Sequence, residues 1–180
     1  MASAFVKRVV VVAAIVVGVV GVMMTTVAAK RNGQAASPSV GSAGIRLPPR
    51  YRDWALVSVA HEAGSFNDIR AILGNDMAIR AYRKGQLPFP DGTIIARVAW
   101  SYVPSEENDK VFGKAQSFIA GAPTNVQLMV KDSKKYAATG GWGYAQFTKG
   151  KADAVDAAKC YSCHEPVKAR DFIFTKYAPS

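Results

Sequence analysis

The chain has 180 residues, of which 49% are hydrophobic, so it is neither a disordered segment nor too short to bury a core. Its formal net charge is +10. The basic residues are scattered and no nucleic-acid-binding motif is present, which excludes nucleic acid as an expected partner. We expect a solvated basic surface, or a basic face that steers an acidic partner.

The N-terminal segment has the pattern of an export leader. Lys7-Arg8 precede an uncharged run, Val9–Ala29, which as a helix would span roughly 30 Å, the thickness of a bilayer core. Small residues before Lys30 fit a cleaved secretory signal equally well. Both place the remainder outside the cytoplasm, because the basic pair stays inside. We therefore predict a signal peptide or membrane anchor over residues 1–30. The protein would be periplasmic or held at the outer face of the cytoplasmic membrane, with membrane contact only through residues 9–29 if uncleaved.

A linker and one folded domain are predicted after the leader. Residues 31–46 are rich in Gly, Ser, Ala and Pro and lack apolar periodicity, which is typical of a flexible linker. Residues 47–180 then form the domain. Strand-like patterns in it lie at 55–60, 67–73, 93–103, 115–120, 126–130 and 140–147. We predict an α+β fold with a mainly antiparallel sheet of four or five strands and short helices.

The helix signals are local. Asn75 is placed to cap a short helix that ends at Gly85. Residues 104–109 are predicted to be a polar loop. Residues 153–159 are predicted to be a short helix that leads into Cys160.

The stretch CYSCH, from Cys160 to His164, holds both cysteines of the chain and one of its two histidines. C-x-x-C-H is the spacing of covalent haem attachment: two thiols add across the vinyl groups, and the histidine becomes an axial iron ligand. A zinc site would need four ligands, and only His61 remains. A redox C-x-x-C usually accompanies a βαβ pattern, which is missing. The sequence predicts one covalently attached haem c in a C-terminal attachment loop, held by Cys160 and Cys163 with His164 on the iron.

Several segments around this motif resemble a known family. LPPRYRDW, FPDGTIIAR, KDSKKY, GGWGYAQF and CYSCHEPVKARDFIFTKYAP are similar, in order and spacing, to the cytochrome P-460 family, which includes the related β-sheet cytochromes c-prime. The resemblance implies an antiparallel β-fold, a homodimer and one five-coordinate c-type haem. Its open side would bind NO, CO, hydroxylamine or another small ligand.

The chain departs from the enzymes of that family at two positions. They carry a lysine cross-linked to the porphyrin where this chain has Arg97, and a distal carboxylate where it has Gln127. An arginine stays charged and is a poor nucleophile, and a glutamine cannot act as a general base at neutral pH. We therefore expect ligand binding, with an enzyme that oxidises hydroxylamine or NO as the alternative.

The sixth iron position leaves further alternatives open. Met129 shares a strand face with Gln127 and could close that position, as could His61, giving a six-coordinate electron-transfer cytochrome with a redox partner protein. Asp132 could be a turn residue or a proton relay. One or two of the aromatic residues on the predicted strands and turns are expected to crowd the distal side; these are Phe89, Trp100, Tyr102, Phe118, Trp142 and Phe147.

Overall fold

The computed structural model describes residues 40–41 and 43–178. The predicted leader and most of the predicted linker lie outside the described residues. Within the described part, no helix is both long and apolar enough to cross a bilayer.

A six-stranded antiparallel sheet forms the centre of the fold, with its strands in chain order. They are β1 (Ala55–Glu62), β2 (Asp68–Gly74), β3 (Ile94–Pro104), β4 (Phe118–Lys131), β5 (Trp142–Thr148) and β6 (Lys151–Ala152). The predicted α+β class and antiparallel sheet are confirmed. The predicted count of four or five strands was too low, because the two-residue β6 adds a sixth.

The predicted strands at 115–120 and 126–130 are in fact one strand, β4, which continues through Pro123. Proline cannot donate to a strand ladder, which is why the pattern suggested a break. The pairing of β4 with β5 begins only at Val126. Pro123 therefore lies where β4 has a single neighbour, β3, and the β3–β4 register shifts on both sides of the Trp100–Pro123 pair.

Three α-helices occur in the described chain: α1 (Asp76–Lys84), α2 (Glu106–Phe112) and α3 (Ala157–His164). The prediction for α1 is confirmed, since Asn75 Oδ1 accepts a hydrogen bond from the Ala78 N–H at 3.0 Å and Gly85 is left-handed at φ 59°. The loop predicted at 104–109 is wrong. The acidic residues in that stretch fall in the first turn of α2, where the helix dipole favours negative charge.

The predicted helix at 153–159 begins later and extends further than expected. Its cap is Asp156, whose side chain accepts from the Ala158 N–H at 3.0 Å, and its last residue is His164. The C-x-x-C-H motif is consequently helical rather than a loop.

Alternation along the strands gives the sheet two buried faces. The first face, which we call the cavity face, packs against α1 and the C-terminal segment through a core that includes Ile72, Ile95 and Tyr144. The second face is covered by the segment before β1. Ile45, within the predicted linker 31–46, is buried there against the second face. Ordered packing therefore includes residues before 47.

Candidate functional site

A cavity of about 850 Å³ lies between the cavity face, α3 and the last described residues. Small-molecule and cofactor sites commonly occupy about 300–1,000 Å³. Cys160, Cys163 and His164 all line it. Arg97, Gln127 and Met129 line it from the sheet.

Helix α3 explains why the three motif residues meet at one wall. Residues three and four apart lie on the same side of a helix, so Cys160 is aligned with both Cys163 and His164. Both cysteines are free thiols, Cys160 half-buried and Cys163 exposed. Burial, with a smaller contribution from Asp156, raises the pKa of the Cys160 thiol.

The imidazole of His164 is held by the main chain. Its Nδ1 lies 2.7 Å from the Phe172 carbonyl oxygen. A carbonyl only accepts, so Nδ1 carries the proton and Nε2 keeps a lone pair for a metal. Burial lowers the pKa of His164, opposed in part by that hydrogen bond. The rings of Tyr144 and Phe174 flank the imidazole, with centroids at 5.3 and 5.1 Å.

A buried ion pair fixes the turn that presents this carbonyl. Asp171 and Phe172 both adopt left-handed backbone angles, at φ 52° and 64°. Asp171 Oδ1 lies 2.7 Å from Lys131 Nζ, with both side chains buried, and Asp171 Oδ2 accepts from the Phe89 N–H at 2.8 Å. The carboxylate thus ties the turn to the end of β4.

The sheet side of the cavity carries a set of hydrogen-bonded polar side chains. Arg97 pairs in register with Gln127, and Gln127 with Gln146. Arg97 Nη1 donates to Asn125 Oδ1 at 2.7 Å and Nη2 donates to Asp68. Gln127 Nε2 donates to Gln146 Oε1 at 2.7 Å. Both residues that stand at the enzyme positions are therefore already hydrogen-bonded within the sheet.

Two of the proposed site residues lie outside the cavity. His61 alternates with Ala60 and Glu62, which line the cavity, so its ring is on the other side of β1 and stacks on Tyr102 at 3.8 Å. Asp132 is a turn residue that accepts from two main-chain N–H groups, those of Lys134 and Lys135. The geometry supports neither His61 as an iron ligand nor Asp132 as a proton relay.

The aromatic residues around the cavity are not those expected. None of the six named from the strand pattern lines it. The aromatic residues that do are Phe66, Tyr144, Phe174 and Tyr177. Alternation with Gln146 along β5 could have identified Tyr144. Phe174 and Tyr177 lie in an irregular segment, whose side-chain directions have no sequence period.

Unpaired donors show what kind of ligand suits the cavity. In the described part of the chain, four buried side-chain atoms make no hydrogen bond: Arg97 Nε, Trp142 Nε1, Tyr144 Oη, and Arg70 Nη2, which is ion-paired with Asp68 Oδ1 at 2.7 Å. All but Trp142 belong to cavity-lining residues. Buried polar atoms are rarely left unpaired, so the cavity suits a ligand that brings acceptors. A haem would meet that requirement, because its carboxylates accept hydrogen bonds. Its iron would bind the lone pair of His164 Nε2.

The fold and the site are those of a haem-binding protein built on an antiparallel sheet. The family model for cytochrome P460 matches residues 48–175. The chain belongs to the cytochrome P460 family, and this membership implies a haem cofactor. A comparison with curated proteins gives no match.

Proposed function

We propose that this protein is an exported mono-haem c-type cytochrome that binds a small ligand such as NO at an open iron position. Cys160 and Cys163 would form the two thioethers and His164 Nε2 would bind the iron. The main support is that α3 brings these three residues to one cavity wall, with His164 Nδ1 already held by the Phe172 carbonyl. The haem supplies an iron that binds diatomic ligands.

The sheet side of the cavity favours ligand binding over oxidation. Arg97 is ion-paired with Asp68 and is a poor nucleophile. Gln127 offers an amide hydrogen-bonded to Gln146 and cannot serve as a general base. A bound polar ligand would meet the hydrogen-bonding amide of Gln127 rather than a proton acceptor, and Arg97 offers no covalent link to the porphyrin.

Absorption spectra of the purified ferric and ferrous protein, with and without CO and NO, test the proposal. We expect a high-spin, five-coordinate ferrous haem that takes up both gases without first losing a protein ligand. A low-spin ferrous spectrum that CO changes only slowly would contradict an open position.

An electron-transfer cytochrome is the second candidate, because Met129 lines the cavity. Its thioether would close the sixth position. Met129 also packs against the core that contains Ile95 and Tyr144, which is the common role of a methionine. If Met129→Ala converts a low-spin ferrous spectrum to high-spin, this function replaces the first.

A P-460-type enzyme remains an alternative because another lysine, Lys176, lines the cavity. A strongly red-shifted ferrous spectrum and turnover of hydroxylamine, both lost in Lys176→Met, would establish it. The homodimer is a proposal from the resemblance, and the redox partner protein is a proposal from the basic charge and the electron-transfer alternative. Sedimentation equilibrium of the haem-loaded protein tests the dimer.

A further inference from the structure

Two arginines of the cavity face share one buried carboxylate. Asp68 is 3% exposed, and its Oδ1 accepts from Arg70 Nε at 2.7 Å while its Oδ2 accepts from Arg97 Nη2. One negative charge thus faces two positive charges. Glu62 is the other carboxylate near them, but it is half exposed and 3.7 Å from Arg70 Nη1. Exposed pairs of that kind are worth little.

The two guanidiniums differ in how fully they are paired. Arg97 Nε is buried and has no acceptor in the described chain. Arg70 Nη2 lies 2.7 Å from Asp68 Oδ1 and shares that carboxylate oxygen with Arg70 Nε in an ion pair. Burial and the charge of Arg70 lower the pKa of Arg97. An anion in the cavity would relieve that repulsion and give Arg97 Nε an acceptor.

The position of the pair indicates which anion fits. Arg70 is on β2, whereas Cys160 packs near Tyr144 on β5. β2 and β5 are three strand spacings apart in the sheet, or roughly 14 Å. On a porphyrin, the two carboxylate side chains lie on the edge opposite the vinyl groups. Thioethers at the β5 side therefore direct the carboxylates toward β2 and β3.

We propose that Arg70 and Arg97, held by Asp68, form a carboxylate site for a haem propionate. This inference rests on the proposed covalent attachment. The guanidiniums fix the orientation of the porphyrin at the end of the cavity away from α3, and they keep the propionate ionised. They act on the cofactor edge and not on the ligand bound to iron.

The test compares haem-loaded Arg70→Met and Arg97→Met with the parent and with Arg80→Met. Arg80 is an exposed arginine of α1, so its removal changes the net charge equally without touching the cavity. Resonance Raman spectra report the propionate bending modes, and the reduction potential is measured from pH 4 to 9. A nearby cation lowers a carboxylate pKa by about 1–3. We expect shifted propionate modes in both cavity variants. The pH at the midpoint of the step in reduction potential, which reports the propionate pKa, should rise by about 1–3 pH units. Arg80→Met should behave like the parent.

A second variant guards against loss of folding. Asp68→Asn frees both guanidiniums from their competing carboxylate. In this variant the propionate modes should shift in the opposite direction, and the pH at the midpoint of the potential step should fall. Propionate modes and potential profiles identical to the parent in all cavity variants would overturn the inference while leaving covalent attachment intact. Haem extracted from the parent by acid acetone would overturn the attachment and this inference together. If added acetate or nitrite perturbs the parent spectrum and not the arginine variants, the site binds a free anion, and the propionate assignment is wrong.

Discussion

At the scale of single residues, the site depends on which polar side-chain atoms have no partner in the described chain. His164 Nδ1–H donates to the Phe172 carbonyl, which leaves the Nε2 lone pair available to a metal. Substitution of Phe172 does not remove a backbone acceptor, so the orientation of the ring depends on the turn that the Lys131–Asp171 pair holds. The cysteines differ in exposure, with Cys163 more open than Cys160.

Covalent attachment is expected to need both thiols, because each forms one bond. Cys160→Ala and Cys163→Ala should each retain at most one thioether, which the pyridine haemochrome spectrum reports as a red-shifted band. The double variant should release its haem completely into acid acetone. Full retention by the double variant would show that another group holds the haem.

Gln127→Leu should weaken retention of a polar ligand by about five- to tenfold, since a neutral hydrogen bond contributes on the order of 1 kcal/mol. The attached haem should remain. Dissociation of NO, followed by stopped flow, measures the effect. Asp132→Asn is the matched control: it changes a polar residue of the same region outside the cavity, and it should leave the rate unchanged. Equal effects from both variants would argue against a place for Gln127 beside the ligand.

At the scale of elements, the end of β4 is coupled to the turn after α3 by the Lys131–Asp171 pair. Lys131 also donates to the Gly140 carbonyl at 3.2 Å and lies over the Trp142 ring at 5.0 Å. These contacts join the end of β4 to the start of β5, which follows closely in sequence, and to the distant turn at Asp171. The turn that holds His164 therefore depends on the strand across from it.

Lys131→Ala should lower the free energy of unfolding by about 3–5 kcal/mol, because it leaves the Asp171 carboxylate buried without its cation. Lys134→Ala, an exposed lysine of the adjoining turn, should change it by no more than about 0.5 kcal/mol. Urea unfolding followed by tryptophan fluorescence compares the two. Similar small losses would mean that Asp171 finds another partner or water.

The sequence predicted elements where the signal was local. The cap at Asn75, the stop at Gly85 and the alternation in β3 follow from neighbouring residues alone. The sequence failed to predict local structure where a distant segment determines it. Pro123 is tolerated because β5 does not reach it. The side chain of Asp171 is buried because Lys131 lies opposite. Gln127 and Met129 are two residues apart and were therefore predicted to share a strand face, and both line the cavity. Nothing in the sequence around Arg70 indicated that it would share Asp68 with Arg97.

At the scale of the whole molecule, the basic pair and the uncharged run at the N-terminus predict export. Mass spectrometry of the native product should show an N-terminus near Lys30 or Pro38 if the leader is a cleaved signal, and at Met1 or Ala2 if it is an anchor. Haem-loaded protein should form only with export and haem-attachment machinery present. Loading in the cytoplasm without that machinery would contradict the prediction.

The strand order also bears on how the chain folds. Each strand pairs with the next one along the chain, so the sheet needs only short loop closures, which are fast. The last described residues instead contact a segment that is distant in sequence, since the Ala178 N–H donates to the Val57 carbonyl at 2.9 Å. We expect the sheet to form first and residues 171–178 to dock last. In haem-free protein, hydrogen exchange should thus be slow in β2 to β5 and fast in that segment, and the thiols of α3 would meet the porphyrin before the segment closes over it.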